Sequence, residues 1–70
     1  MNSTELEIGN IYTRSRFSVT EYFIYLGESG DRDYPYKFYY YAIYLTDFKF
    51  MGQTAEFIDT WSILPNFDSY

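Results

Sequence analysis

The clearest pattern in the chain is the alternation of hydrophobic residues between residues 19 and 26. Tyr22 and Ile24 fall on one face of an extended segment, and Phe23 and Tyr25 fall on the other. β-Branched and aromatic residues at this spacing are typical of a half-buried β-strand. The pattern therefore predicts a strand over Val19 to Leu26 that ends at Gly27, before the turn-forming residues 28–36.

Residues 37–45 (KFYYYAIYL) form a second and more strongly hydrophobic segment. It contains no glycine or proline, and both of its faces are hydrophobic, which predicts a strand. One face carries Phe38, Tyr40, Ala42 and Tyr44, and the other carries Tyr39, Tyr41, Ile43 and Leu45. An uncharged aromatic strand would promote aggregation at a sheet edge, so we expect it in the centre of the sheet, with its second face covered by the chain or by a partner.

The first eighteen residues have a weaker pattern. Residues 1–4 are polar and are expected to be frayed, and Leu6, Ile8 and Tyr12 around Gly9 indicate a first short strand with a bend or bulge. Residues 13–18 are mostly polar and include two arginines, which predicts a loop or an exposed edge.

The last third of the chain has two interpretations. Residues 46–52 are typical of a hairpin connection, and the alternation over Gln53 to Asp59 favours a strand. Thr54 would instead cap a helix that carries Ala55, Ile58 and residues 61 and 64 on one face. In the strand interpretation, residues 61–64 form a short helical turn and residues 66–70 a last strand or tail.

These segments predict one domain over residues 1–70 of the all-β class, a small, strongly twisted antiparallel sheet or a five-stranded barrel. The order of strands, the polar excursion at 28–36 and the central hairpin resemble the layout of SH3-like barrels. The alternative is an α+β fold, an antiparallel sheet with one C-terminal helix around residues 54–64.

The amino-acid composition adds that some aromatic rings of this sheet must be exposed to solvent. The 70 residues include ten Tyr, seven Phe and one Trp, but no Cys and no His, so neither disulfides nor a Cys/His metal site can stabilise the fold. Eighteen rings exceed what so small a core can enclose. Some rings therefore lie at the surface, where Tyr and Trp are enriched in contact sites.

The same composition argues against catalysis. Without His or Cys, the commonest general bases and nucleophiles are missing, and we expect no catalytic residues, no cofactor and no metal. Asp31 and Asp33 begin like a calcium-binding loop, but Tyr36 and Ala42 occupy the positions that need glycine and glutamate. These aspartates are better explained as a solvated turn.

Charge indicates the kind of partner. Ten acidic and five basic residues give a formal charge of −5, which disfavours direct contact with nucleic acid or anionic lipid and favours a basic protein. The longest apolar run is too short to span a bilayer, so we expect a cytoplasmic protein with no membrane contact.

Two sets of residues are candidates for partner binding. The acidic set would steer a basic partner if the fold gathers it onto one side, and the aromatic set would anchor it. The acidic candidates are Glu28, Asp31, Asp33, Asp47, Glu56 and Asp59. The aromatic candidates are Tyr34, Tyr36, Tyr40 and Tyr44.

In size, acidity, aromatic content and lack of enzymatic motifs, the chain resembles the small host-takeover and anti-defence proteins of bacterial viruses. The resemblance implies stoichiometric inhibition by a DNA mimic, directed at a nucleoid protein such as HU, at RNA polymerase or at a defence nuclease. The alternative is an SH3-like adaptor that holds a peptide in an aromatic groove, or a homodimeric assembly module.

Overall fold

The computed structural model describes residues 2–61 and 63–65, which form five antiparallel strands, one α-helix and one 3₁₀ turn. The 3₁₀ turn covers Ser3–Glu5 and the helix α1 covers Ala55–Thr60. The strands are β1 Ile11–Arg16, β2 Val19–Glu28, β3 Tyr36–Ala42, β4 Lys49–Gln53 and β5 Leu64–Pro65.

The strands form one twisted sheet in the order β4-β3-β2-β1-β5. The prediction of a small antiparallel sheet is confirmed, and the sheet stays open, with β4 and β5 as its two edges. The hydrophobic strand predicted to be central is β3, which lies between β2 and β4. Its central place is expected, because pairing on both sides satisfies the backbone of a strand with two apolar faces.

One face of the sheet, the core face, carries the buried side chains. Tyr12, Phe23 and Phe38 are almost completely buried, as are Ile58 of α1 and Ile63. Phe23 and Phe38 meet edge to face with ring centroids 5.7 Å apart. Helix α1 supplies a cover for the core face, and large rings fill the core in place of many aliphatic side chains.

The other face is called the open face here. Its central row follows the strand register across Ile11, Ile24, Tyr39 and Phe50, and a second row contains Thr13, Tyr22 and Tyr41. These side chains point away from the core because neighbouring residues in a strand alternate between faces. No helix or strand of residues 2–61 and 63–65 covers this face.

Helix α1 replaces the strand that alternation favoured over Gln53 to Asp59. The Thr54 hydroxyl accepts a hydrogen bond from the Phe57 amide at 3.0 Å, so the predicted cap is present, but the helix ends at Thr60 and Leu64 belongs to β5. The helix succeeds because it buries Ile58 completely against the core face. A further strand would have left that face uncovered.

The N-terminal segment also differs from the prediction. Gly9, with φ of +89°, belongs to a turn, and the first strand begins only at Ile11. The predicted loop at 13–18 is mostly strand, because Arg14 is paired with an acid on β2 and can therefore occupy a buried position. Ser3 is buried and not frayed, since its amide donates to the Asp59 carboxylate at 2.7 Å.

Three strand boundaries also differ from those predicted from the sequence. β2 continues past Gly27 to Glu28, with a β-bulge between Tyr25 and Gly27. β3 ends at Ala42, and in the turn that follows the Leu45 amide donates to the Ala42 carbonyl at 2.9 Å. β4 begins at Lys49, inside the segment predicted as a connection. The prediction for residues 66–70 lies outside the described residues.

Candidate functional site

A column of side chains on the open face runs parallel to β3 and is formed by alternate residues of β3 and the facing residues 48 and 50. Tyr39 stacks between Phe48 and Phe50, with ring centroids 4.5 and 4.8 Å away. Tyr41 extends the column beyond Phe48 at 5.2 Å, and the Lys37 ammonium lies 5.2 Å from the centroid of Phe50 at the other end. We call these five residues the aromatic ladder.

Strand periodicity explains the ladder. Lys37, Tyr39 and Tyr41 are alternate residues of β3, and Phe50 lies directly opposite Tyr39 in the register. Cross-strand neighbours on one face lie close enough for rings to stack. Phe50 is 66% exposed and Phe48 is 45% exposed, so a large apolar surface faces solvent although it is held in a fixed arrangement.

A hollow of about 380 Å³ lies at the Lys37 end of the ladder. Tyr34, Phe50 and Asp31 are among the residues that line it. Gly52 forms part of its floor, and a Cβ at that position would come within 3.0 Å of the Tyr34 Cβ. The hollow and the close approach of Tyr34 to the strand therefore depend on the absence of a side chain at residue 52.

The segment 29–35 between β2 and β3 borders the hollow, and together with Glu28, the last residue of β2, it is called the acidic loop here. The Ser29 hydroxyl donates to the Tyr34 carbonyl and accepts from the Asp31 amide at 2.9 Å. The Asp31 carboxylate accepts from the Asp33 amide at 2.9 Å. These bonds fit the interpretation of the aspartates as part of a turn, and Asp31 is the acidic residue of the loop that lines the hollow.

The structure gathers only part of the predicted acidic set. Glu28, Asp31 and Asp33 lie in the acidic loop. Asp47 lies in the β3–β4 connection at the opposite end of the sheet, while Glu56 and Asp59 lie on α1. The six carboxylates therefore do not share one face.

The predicted aromatic set is similarly divided. Tyr34 is half exposed in the hollow, and Tyr44 is exposed in the β3–β4 connection. Tyr36 is half buried beside Tyr25, whereas Tyr40 is 6% exposed and belongs to the core. Tyr40 has almost no surface to offer a partner.

The ladder residues are not among the binding residues that the sequence predicts. The alternation of β3 predicts Tyr39 and Tyr41 on one face, but residues 46–52 are predicted as a connection, which predicts no face for their stacking partners Phe48 and Phe50. The signal that finds them is the alternation of Phe48 and Phe50 beside a strand with a second apolar face.

A buried polar cluster lies on the opposite side of the sheet. Arg14 donates to Glu21 at 2.7 Å, and the Tyr40 hydroxyl donates to the same carboxylate. The Arg14 guanidinium also lies 4.9 Å from the Phe57 ring centroid and 4.8 Å from that of Trp61. The pKa of Tyr40 is raised far above its ordinary value, mainly by burial and secondly by the hydrogen bond to Glu21.

The enclosed cluster supports a structural role, because Arg14, Glu21 and Tyr40 are each more than nine-tenths buried. The charges of Arg14 and Glu21 face one another, and the Tyr40 hydroxyl also forms a hydrogen bond of 2.6 Å with the hydroxyl of the exposed Tyr44. The cluster pairs the charges of Arg14 and Glu21 inside the core and leaves one buried Arg14 nitrogen, Nη1, without a hydrogen-bond partner among the residues that the structure describes.

Residues 2–61 and 63–65 contain no group of three or more acidic, His or Cys side chains placed to hold a metal ion. None of the helices in that part of the chain is long and apolar enough to cross a membrane. Comparison with models of known protein families, with curated proteins and with solved structures finds no match for the chain.

Proposed function

We propose that this protein is a non-catalytic binding protein that holds a protein partner on its open face. The aromatic ladder is the observation that carries the proposal. Solvent-facing rings that are already stacked lose little conformational freedom on binding, and large rigid aromatics are the usual anchors of protein interfaces.

The size of the face supports this role. The molecule measures 31 × 24 × 22 Å, and the open face is one whole face of its five-stranded sheet. A standard interface buries ~800 Å² on each partner, so this face is large enough to form one. Single exposed hydrophobic residues need no explanation, but a continuous row of them does.

Charge supports a basic partner. The acidic loop places Asp31 at the edge of the hollow, next to the ladder, and the whole chain carries a formal charge of −5. Carboxylates at the rim would steer a cationic surface towards the rings and speed association. A host protein surface that normally grips nucleic acid has this chemistry, and covering it would inhibit that protein stoichiometrically, as the resemblance to phage inhibitors implies.

The test begins with a protein captured from bacterial lysate, then purified so that its affinity can be measured by calorimetry. Phe48→Ala removes the ring that joins Tyr39 to Tyr41, and we expect affinity to fall about 30-fold, the effect of losing a 2 kcal/mol hot spot. Phe17→Ala is the matched control, because Phe17 is 88% exposed at the β1–β2 turn and its ring lies against Arg16, 5.5 Å from the guanidinium, and not in the ladder. Equal affinity of the two variants would contradict the proposal.

The hollow favours one second candidate, an adaptor that holds a peptide between Tyr34 and Phe50. Salt separates the two functions, because a basic surface steered by the acidic loop would bind much more weakly at high salt. A peptide held by ring contacts would bind with little change.

A further inference from the structure

The two edges of the sheet are built differently. β5 has only two residues and ends in Pro65, which has no backbone N–H to donate to another strand. β4 has five residues, contains no proline and, within residues 2–61 and 63–65, pairs only with β3. One edge is therefore protected against strand addition and the other is available for it.

The β4 edge also carries an exposed ring, that of Phe50, and two residues further on Gly52, which lines the hollow. Phe50 is 66% exposed, and Gly52 lies at the floor of the hollow lined by Tyr34. Because residues 50 and 52 have the same parity in β4, both lie on the open face. A strand that presented Phe50 opposite Gly52 would place a ring next to that hollow.

We propose that a second copy of this chain provides that strand. An antiparallel pairing of β4 with β4 of another copy, with its two-fold axis at Met51, places Phe50 of each copy opposite Gly52 of the other. Each ring then lies beside the other copy's hollow. A two-fold interface requires this kind of self-complementary pattern, and β4 has it within three residues.

The position of the charged residue in β4 is also compatible with this register of the two β4 strands. Lys49 of one copy comes opposite Gln53 of the other, and Gln53 pairs with Tyr36, the residue that follows the acidic loop. The only charged residue of β4 thus comes opposite an uncharged residue near the acidic loop of the second copy, and no two carboxylates of β4 meet because the strand has none. Other registers lose this match.

The dimer goes beyond the proposed function and leaves it intact. Edge pairing joins the two five-stranded sheets into one, and the open faces of both copies remain uncovered on the same side. The contact is smaller than a standard interface, so we expect reversible association that depends on concentration.

Cysteine cross-linking tests the register directly, because the chain has no cysteine of its own. Directly opposed residues of antiparallel strands have Cα atoms about 4.5 to 5.5 Å apart, which a disulfide can bridge. We therefore expect Met51→Cys to give a disulfide-linked dimer under mild oxidation. Lys49→Cys is the control on the same strand, since its Cα lies roughly 14 Å from that of its counterpart in this register.

Sedimentation across a range of concentrations tests the dimer without cysteines. The unmodified protein should associate reversibly, Phe50→Asp should shift it to monomer by placing a carboxylate near Asp31 of the second copy, and Phe17→Asp should leave association unchanged. A protein that stays monomeric, or equal cross-linking at residues 49 and 51, overturns the dimer. Open-face binding is judged separately by Phe48→Ala, so either proposal can fail alone.

Discussion

Glu21 lies on the core face of β2, in a core built mainly from aromatic rings. A buried carboxylate is costly unless its charge is paired and its oxygens are hydrogen-bonded. Arg14 supplies both charge and a donor from β1, and the Tyr40 hydroxyl supplies a second donor from β3. Three neighbouring strands are thus linked by one carboxylate, with Arg14 directly opposite Glu21 in the register of β1 and β2.

This cluster predicts a loss of stability at alkaline pH. The pKa of Tyr40 is raised by burial and by its hydrogen bond to Glu21, above the ordinary value of 10.0 that applies in the unfolded chain. Above pH 10 the unfolded chain therefore releases a proton that the native protein retains. Stability is fully present below pH 10 and falls as pH rises further. Thermal unfolding measured across this range should show the decline.

Tyr40→Phe provides the check on that explanation. It should lower the free energy of unfolding by about 1–3 kcal/mol at neutral pH, because Glu21 loses a donor while staying buried, and it should weaken the alkaline decline. Tyr34→Phe, at a half-exposed position, serves as the control. An unchanged alkaline decline in Tyr40→Phe would show that another group is responsible.

At the scale of elements, the β1–β2 hairpin has an unusual turn. Arg16 and Val19 are paired, so Phe17 and Ser18 form a two-residue connection, and both have positive φ, 52° and 63°. Such turns match the twist of the strands but favour Asn and Gly, because other side chains are strained in the left-handed region. Phe17 is almost fully exposed and recovers little of that cost by packing.

Replacement of Phe17 and Ser18 by Asn and Gly should therefore stabilise the protein. We expect about 1 kcal/mol, measured as an increase in the urea midpoint at unchanged slope. Phe17→Ser is the control, because it removes the exposed ring but keeps a residue with a side chain in the turn. A similar gain from the control would mean that ring exposure, and not backbone strain, sets the cost.

At the scale of the whole molecule, one hydrogen bond joins the N-terminal 3₁₀ turn to helix α1. The Ser3 amide donates to the Asp59 carboxylate at 2.7 Å, across 56 positions of sequence. The 3₁₀ turn is thereby held against α1, which itself covers the core face. The contact makes the N-terminal segment part of the folded unit.

Asp59→Ala should release this segment. We expect a loss of about 1 kcal/mol, the typical contribution of one hydrogen bond, with faster amide exchange at residues 3–5 than in the sheet. Glu56→Ala is the matched control, because it removes the same charge from α1 but not the acceptor of the Ser3 amide. Faster exchange at residues 3–5 in both variants would point to charge on the helix instead.

Much of the sheet was predictable because its strongest elements are local patterns. The alternation of β2 and the apolar run of β3 determine two adjacent strands, and the two hydrophobic faces of β3 determine its central place. The absence of Cys and His rules out the commonest catalytic groups, and the excess of rings implies exposed aromatic surface. These conclusions need only the residue types and their spacing.

Tertiary structure determined the remaining features. These are segments whose local pattern fits both a strand and a helix, and sites formed by residues that are distant in the sequence. Residues 53–59 alternate like a strand but form a helix, because the core face needs a cover. β1 runs through Arg14 and Arg16 because a partner for Arg14 lies on the next strand. The ladder needs Phe48 and Phe50 beside β3, and the six candidate carboxylates are distributed by the turns between strands. Spacing along the chain does not specify which segments become neighbours; burial and pairing of the whole sheet do.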